Sequence, residues 1–230
     1  MIEPGSTQRP VASHGGALTS NIGLIIHVTT NWFSPAGFFA DPSHQASSNW
    51  WVRKDGYREQ YVDADLRAWA QGAGNWEYDS VETDGTPDTP LTPEQVESIA
   101  ELYAWGHQTY NWPFLLAGSP GQPGLGWHGM GGDAWGGHPY CPGVLRRAQR
   151  LQIIDRARTI NAVGIVPHPA QEEIVTPQDK QDIANMVVAG LADNFKKNHD
   201  EHALLLHGSP NHNSIDKIVR MINGTEPVPA

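Results

Sequence analysis

Residues 21–28, NIGLIIHV, are the most apolar stretch of this 230-residue chain, and they limit the folds open to it. The run is uncharged and rich in β-branched side chains, and it is far shorter than the roughly 20 residues that cross a bilayer. It reads as a single buried strand. Hydrophobic residues make up 39% of the chain and charged residues 17%, with nine Trp, which is the composition of a soluble globular protein with material for a real core. At the end of the apolar run stands His27. Polar side chains at strand ends are where α/β sheets place their sites. Taken alone, His27 also reads as a core histidine making one hydrogen bond.

The rest of the chain supplies the partners of that strand. Residues 1–20, rich in Gly, Ser, Pro and Thr, read as a leader wrapping the surface. Residues 29–47 read as a long, partly helical loop. NWWVRK (49–54) and YREQYVD (57–63) flank Asp55-Gly56, a pair that tolerates the φ > 0 of a tight turn, so a β-hairpin is expected. Residues 65–72 suggest one or two helical turns, and 77–85 a strand ending in a turn. The clearest helix spans 93–110: Thr92 can cap it, Pro93 suits its first position and Gln95 completes a capping box. A second helix is expected over 143–161 and further short helices from Thr176 and at 214–223. The expected architecture is α/β, a central mixed β-sheet flanked by helices over residues 1–162. A linker and a small helical appendix would occupy 163–230.

Two glycine-rich segments carry the chemistry. His128 lies in GWHGMGG, and ten residues on comes His-Pro-Tyr-Cys-Pro-Gly (138–143). Glycines let the backbone curl tightly around a site. Cys141 is the only cysteine, so no intrachain disulfide can form, and it is an inert core residue, a nucleophile or a metal ligand. Standing ahead of a helix N-terminus, its thiol is expected to favour the thiolate. Two imidazoles and a thiolate suit tetrahedral zinc with a fourth position for water.

In order and spacing, several motifs resemble the zinc-dependent N-acetylmuramoyl-L-alanine amidases of the amidase-2 type, which are related to peptidoglycan recognition proteins. They include the strand ending in His27, Ser-Ser-Asn-Trp-Trp-Val-Arg-Lys-Asp-Gly (47–56) and Arg67-Ala68-Trp69. Gly74-Asn75, Ser80-Val81-Glu82 and Leu91-Thr92-Pro93-Glu94-Gln95 follow, and then Trp127-His128 and Cys141-Pro142-Gly143. The likeness covers about residues 20–160 and is closest to phage endolysins. It implies one zinc ion held by His27, His128 and Cys141, and cleavage of the amide between N-acetylmuramic acid and L-alanine in bacterial peptidoglycan. It also places a catalytic Glu at Glu82. Another branch of the family uses a Tyr where this chain has Ser48, so Glu82 is the expected general base. Pro139 stands where the family often has a Lys or Thr to stabilise the oxyanion, and His138 beside it becomes the candidate donor. Asn49 replaces a frequent His. Trp50, Trp69, Trp76 and Trp127 are candidates to line a groove for sugar or peptide, while Trp51 and Trp105 read as core.

A net charge of −10 argues against a nucleic-acid binder. The one basic cluster, LRRAQRLQIIDRAR at 145–158, reads as a solvated helix face. No membrane insertion is expected, and no basic region followed by an apolar stretch suggests a secretory signal. The expected setting is host cytoplasm on synthesis and the bacterial wall after release. His199, His202, His207 and His212 read as a wet surface, and the C-terminal helices as a possible means of self-association. Two rival functions remain open: a non-catalytic peptidoglycan-binding module, and a cysteine-type wall peptidase using Cys141 with His128 or His27 as base.

Overall fold

The computed structural model describes residues 1–30 and 33–164. The expected linker at 167–173, the helices from Thr176 onward and the four tail histidines lie outside the described residues.

Six strands form the main sheet, in the order β1-β5-β4-β7-β3-β8. They are β1 (Thr7–Gln8), β3 (Gly23–Ile26), β4 (Trp50–Val52), β5 (Arg58–Gln60), β7 (Asp79–Thr83) and β8 (Gly124–Trp127). The apolar run becomes β3, inside the sheet, parallel to β7 on one side and to β8 on the other. All four of its residues are buried. β4 runs parallel to β7 and antiparallel to β5, so the sheet is mixed. The β4–β5 hairpin turns at Asp55-Gly56 as the sequence implies, with Gly56 at φ 86°.

Alternation along the strands sorts residues onto two faces. Leu24, Ile26, Trp50, Val52, Val81 and Leu125 pack beneath α2 (Pro93–Tyr110) and α4 (Arg150–Val163). Their partners there include Ile99, Tyr103, Ile153 and Ala157, all fully buried. The other face carries Ile25 with Tyr78 and Trp135, and Trp51 with Phe39, Tyr57 and Tyr61. α2 begins with the predicted capping box: the Gln95 N–H donates to the Thr92 hydroxyl, and the Gln95 amide oxygen accepts from the Thr92 N–H.

Four expectations are corrected. Residues 65–72 are not helical: β6 (Leu66–Ala68) pairs antiparallel with β2 (His14–Ala17), and a 3-10 turn follows at Gly72–Trp76. The first twenty residues therefore contribute two strands rather than a surface wrap, since β1 also closes the sheet edge beside β5. The helix expected at 143–161 is two, α3 (Val144–Ala148) and α4, broken at Gln149, whose amide bonds both the N–H and the carbonyl of Leu91. The basic cluster is not simply a solvated face. Arg146 is buried and donates to the Thr83 hydroxyl and to the carbonyls of Asp84 and Thr89. Arg150 donates to the carbonyls of Ala117 and Leu125. Both guanidiniums satisfy backbone oxygens that would otherwise be buried unpaired. No described helix is long and apolar enough to cross a membrane.

Candidate metal centre

β7, β3 and β8 end side by side. Their register pairs Ile26 with Val81 and with Trp127, so one residue further on Glu82, His27 and His128 come level. Because Val81 and Ile26 face the helical layer, these three side chains point the opposite way. The His27 and His128 rings lie 4.3 Å apart, and His27 Nδ1 is 3.8 Å from Glu82 Oε1. The segment after β8 then curls back to bring in Cys141, with the Gly129 N–H donating to the Cys141 carbonyl. A ligand atom from each of His27, His128 and Cys141 lies within 4.8 Å of the other two.

Neighbouring groups orient both imidazoles. Gln71 donates its amide N–H to the Tyr78 carbonyl at 3.0 Å, which turns its Oε1 toward His27 Nε2, also at 3.0 Å. His128 Nε2 faces the Trp135 carbonyl at 2.8 Å. Both partners can only accept, so each Nε2 carries the proton and each Nδ1 keeps the lone pair a metal needs. Trp135 is held in place by close packing. A Cβ on Gly131 would sit 1.9 Å from its Cγ, and one on Gly74 2.5 Å from its Cε2. The glycines around His128 thus serve the site by leaving room for an indole.

Burial sets the protonation of the group. It holds His27 well below the usual imidazole range, with His128 adding repulsion, and it lowers His128 too. Neutral imidazoles are what metal binding requires. Burial pushes Glu82 up to about 7, against the opposing pull of the Thr29 hydroxyl, which donates to Oε2 at 2.8 Å, and of Arg146. Burial and then the Glu82 charge push Cys141 up to about 12. The expectation that a helix N-terminus would make Cys141 a ready thiolate is therefore corrected: α3 has five residues and does not outweigh desolvation. Two neutral imidazole nitrogens and a sulfur that a cation would deprotonate make a donor set that fits zinc, and the distances allow all three to meet.

The remaining candidates separate. His138 is exposed, with its ring 4.7 Å from that of His128, and it lines the same cleft. That cleft, of about 450 Å³, is also walled by Trp69, Phe39 and Tyr140. Trp127 lines an adjoining cavity of about 330 Å³, beneath the Arg147 guanidinium at 4.0 Å, and Pro139, Tyr140 and Cys141 border both spaces. Trp50 is corrected: it is fully buried and packs edge-on against Trp105 in the core, on the face away from the cleft. Trp76 is exposed under Arg67 and borders neither space. Trp51 and Trp105 are core, as expected. Ser48 and Asn49 have structural work, both bonding Ser80, and Asn49 also donates to the Asp63 and Leu66 carbonyls. Sequence reasoning missed Gln71, Thr29 and Trp135. Their only signal was proximity to glycine or to a strand end.

Residues 20–144 match the family model described as N-acetylmuramoyl-L-alanine amidase. Among solved structures, the Staphylococcus aureus hydrolase AmiA in complex with its ligand is 15% identical, covers 73% of this chain and 90% of its own, and superposes with a TM-score of 0.57. The N-acetylmuramoyl-L-alanine amidase LysC from Clostridium intestinale is 15% identical over 64% of this chain and 95% of its own, with a TM-score of 0.45. The Ph2119 endolysin from a Thermus scotoductus bacteriophage is 14% identical over 62% and 90%, with a TM-score of 0.46. The first of these shares the fold. Among curated proteins nothing matches.

Proposed function

The chain belongs to the N-acetylmuramoyl-L-alanine amidase family, and from that premise we propose that it hydrolyses the amide between N-acetylmuramic acid and the first L-alanine of the peptidoglycan stem peptide, with one zinc ion held by His27, His128 and Cys141. The observation that carries this reading is the meeting of two imidazoles and the only cysteine beside a partly buried carboxyl, at the open ends of three parallel strands.

A zinc ion bound there would supply Lewis-acid polarisation of the scissile carbonyl and lower the pKa of a water molecule toward about 7. The remaining roles fall to the chain. Glu82, pushed up to about 7, sits near the pH at which a carboxyl can both take and return a proton. Thr29 fixes one of its oxygens and leaves Oε1 on the side of His27. Glu82 is accordingly the general base that takes a proton from water and passes it to the leaving alanine nitrogen. His138, exposed in the same cleft with its ring 4.7 Å from that of His128, is assigned the donor to charge developing on the carbonyl oxygen. Trp69 offers a face to sugar or peptide in the main cleft, while Trp127 borders the adjoining cavity with its ring covered by the Arg147 and Arg150 guanidiniums. The proposed setting is that of a phage endolysin acting on the host wall. It rests on the motif pattern, which resembles that of those enzymes.

The cysteine-peptidase reading loses support from the same electrostatics. A thiol pushed up and imidazoles held down are the reverse of a thiolate–imidazolium pair. The binding-module reading leaves the third ligand without a purpose.

The test combines metal analysis with product chemistry. Purified protein should carry about one zinc per chain, and digestion of cell walls should free the amino group of L-alanine without cutting peptide cross-links. Glu82→Gln should keep the zinc and lose roughly 10²- to 10⁴-fold in turnover. Well-folded protein without zinc and without activity on adding it would refute the proposal, and an unimpaired Glu82→Gln would remove Glu82 from its role.

A further inference from the structure

Of the two groups that hold the candidate metal ligands in position, one is a main-chain carbonyl, of Trp135, and the other is the side chain of Gln71. Only the second can be varied by a substitution. We propose that Gln71 is a positioning residue of the metal centre, orienting His27 so that its Nδ1 is presented to zinc together with Nδ1 of His128 and the sulfur of Cys141. This inference rests on the zinc reading given above.

Gln71 is over-determined, as a group that aims another should be. It is 1% exposed. Its backbone N–H donates to Asn75 Oδ1 at 2.7 Å, and the same oxygen accepts from the Ala70 N–H at 3.1 Å, so the Asn75 side chain ties down the turn that carries it. Its amide nitrogen is committed to the Tyr78 carbonyl. The Tyr78 oxygen has no proton to give, so the amide cannot flip without placing two acceptors face to face. Gly74 completes the arrangement, since a Cβ there would lie 2.8 Å from Gln71 Cγ. The result is a single orientation of Oε1, 3.0 Å from His27 Nε2. An imidazole with its far nitrogen anchored in this way loses less freedom on binding a cation, and its tautomer is already correct.

Both outer partners are neutral, an amide on His27 and a peptide carbonyl on His128. Neither draws a proton from its imidazole as a carboxylate would, so the cysteine sulfur is the one ligand that brings negative charge. A positioning amide of this kind should govern how tightly and in what geometry the metal is held, apart from any effect on the peptide-bond chemistry.

The experiment compares wild type with Gln71→Met and Gln71→Glu as full-length proteins. The methionine has nearly the same length and no useful acceptor. The glutamate keeps an oxygen toward His27 and, when protonated, donates its O–H to the Tyr78 carbonyl as the amide does. Zinc dissociation constants are measured by competition with a chelator of known affinity, and the visible spectrum of the cobalt-substituted protein reports ligand geometry. Unfolding of the metal-free proteins is followed in parallel. Gln71→Met should weaken zinc binding by roughly 10- to 100-fold and alter the cobalt bands, while Gln71→Glu should remain within about threefold of wild type or bind more tightly. A purely structural glutamine would lower the stability of the metal-free protein and leave the cobalt spectrum unchanged, which would overturn the proposal. Should Gln71→Met fail to fold, Gln71→Glu decides: a folded Gln71→Glu that has lost zinc tenfold or more contradicts it. A wild type that binds no zinc would overturn this inference and the zinc reading together. A wild type that binds zinc alongside a Gln71→Met of equal affinity would overturn this inference alone.

Discussion

At Asp79, burial acts on a carboxyl as it does at Glu82, without a site to serve. The side chain is fully buried, one oxygen accepts from Asn21 at 2.8 Å, and the other makes no hydrogen bond among the described residues. Burial, only partly offset by the Asn21 bond, raises its pKa well above the ordinary carboxylate value. The sign of the consequence is fixed by linkage. Above the unfolded pKa the unfolded chain has released this proton while the folded chain still holds it, so stability falls as pH rises through the window up to the folded pKa. Asp79→Asn should therefore remove part of that fall. In urea unfolding from about pH 4 to neutrality, the variant should show a shallower decline than wild type. An unchanged slope would mean that Asp79 ionises normally. Glu82, proposed as the general base, adds to the same decline through the same desolvation.

At the level of elements, α2 shows where local and tertiary effects part. Propensity alone says that Gly106, inside this helix, should gain up to about 1 kcal/mol on becoming alanine. A Cβ there would lie 2.0 Å from Cε3 of Trp112, a fully buried ring whose Nε1 donates to Asn21 at 2.8 Å. Neither the ring nor the helix axis can yield by so much, and overpacking of this kind costs about 1–3 kcal/mol. Gly106→Ala should therefore destabilise, and a raised midpoint in thermal or urea unfolding would contradict the assignment. The elements readable in advance were those with local signals, namely the Thr92/Gln95 capping box and the Asp55-Gly56 turn. β6 was not, because its partner β2 lies about fifty residues earlier and residues 65–72 carry no strand period of their own. The basic cluster at 145–158 misled for a related reason. Helical spacing shows which arginines share a face, and it does not show that the carbonyls of Thr89, Ala117 and Leu125 wait beneath that face.

For the whole molecule, the candidate centre ties together segments far apart in sequence, since its ligands stand at positions 27, 128 and 141. A cation bound to the folded state and not to the unfolded one adds RT ln(1 + [Zn]/Kd), about 2.7 kcal/mol at a hundredfold excess over Kd. Treatment with dipicolinate should lower the melting temperature of the zinc-loaded protein, and added zinc should restore it, as read by calorimetry. Equal melting temperatures with and without metal would deny zinc this structural contribution.

The amino-acid sequence by itself determined the buried strand, the capped helix and the hairpin turn, and its resemblance to the amidase family supplied the three residues proposed as ligands. The first three are written in short-range patterns: an apolar run, a cap three residues from its partner and a turn dipeptide. The tertiary structure alone decided what surrounds the ligands. It removed Trp50 from the groove because alternation along β4 turns that side chain toward α2, and it left Trp76 outside the cleft. Without a bound cation it pushes the Cys141 thiol up rather than down, because desolvation is a property of packing rather than of sequence neighbours. It also produced Gln71 and Trp135 as the partners of the two imidazoles, through hydrogen bonds 44 and 7 residues long in sequence that no local motif announces. The chain alone left the single cysteine as core residue, nucleophile or ligand, whereas the geometry that makes it one of three depends on the ends of β3 and β8 coming level and on the segment after β8 curling back.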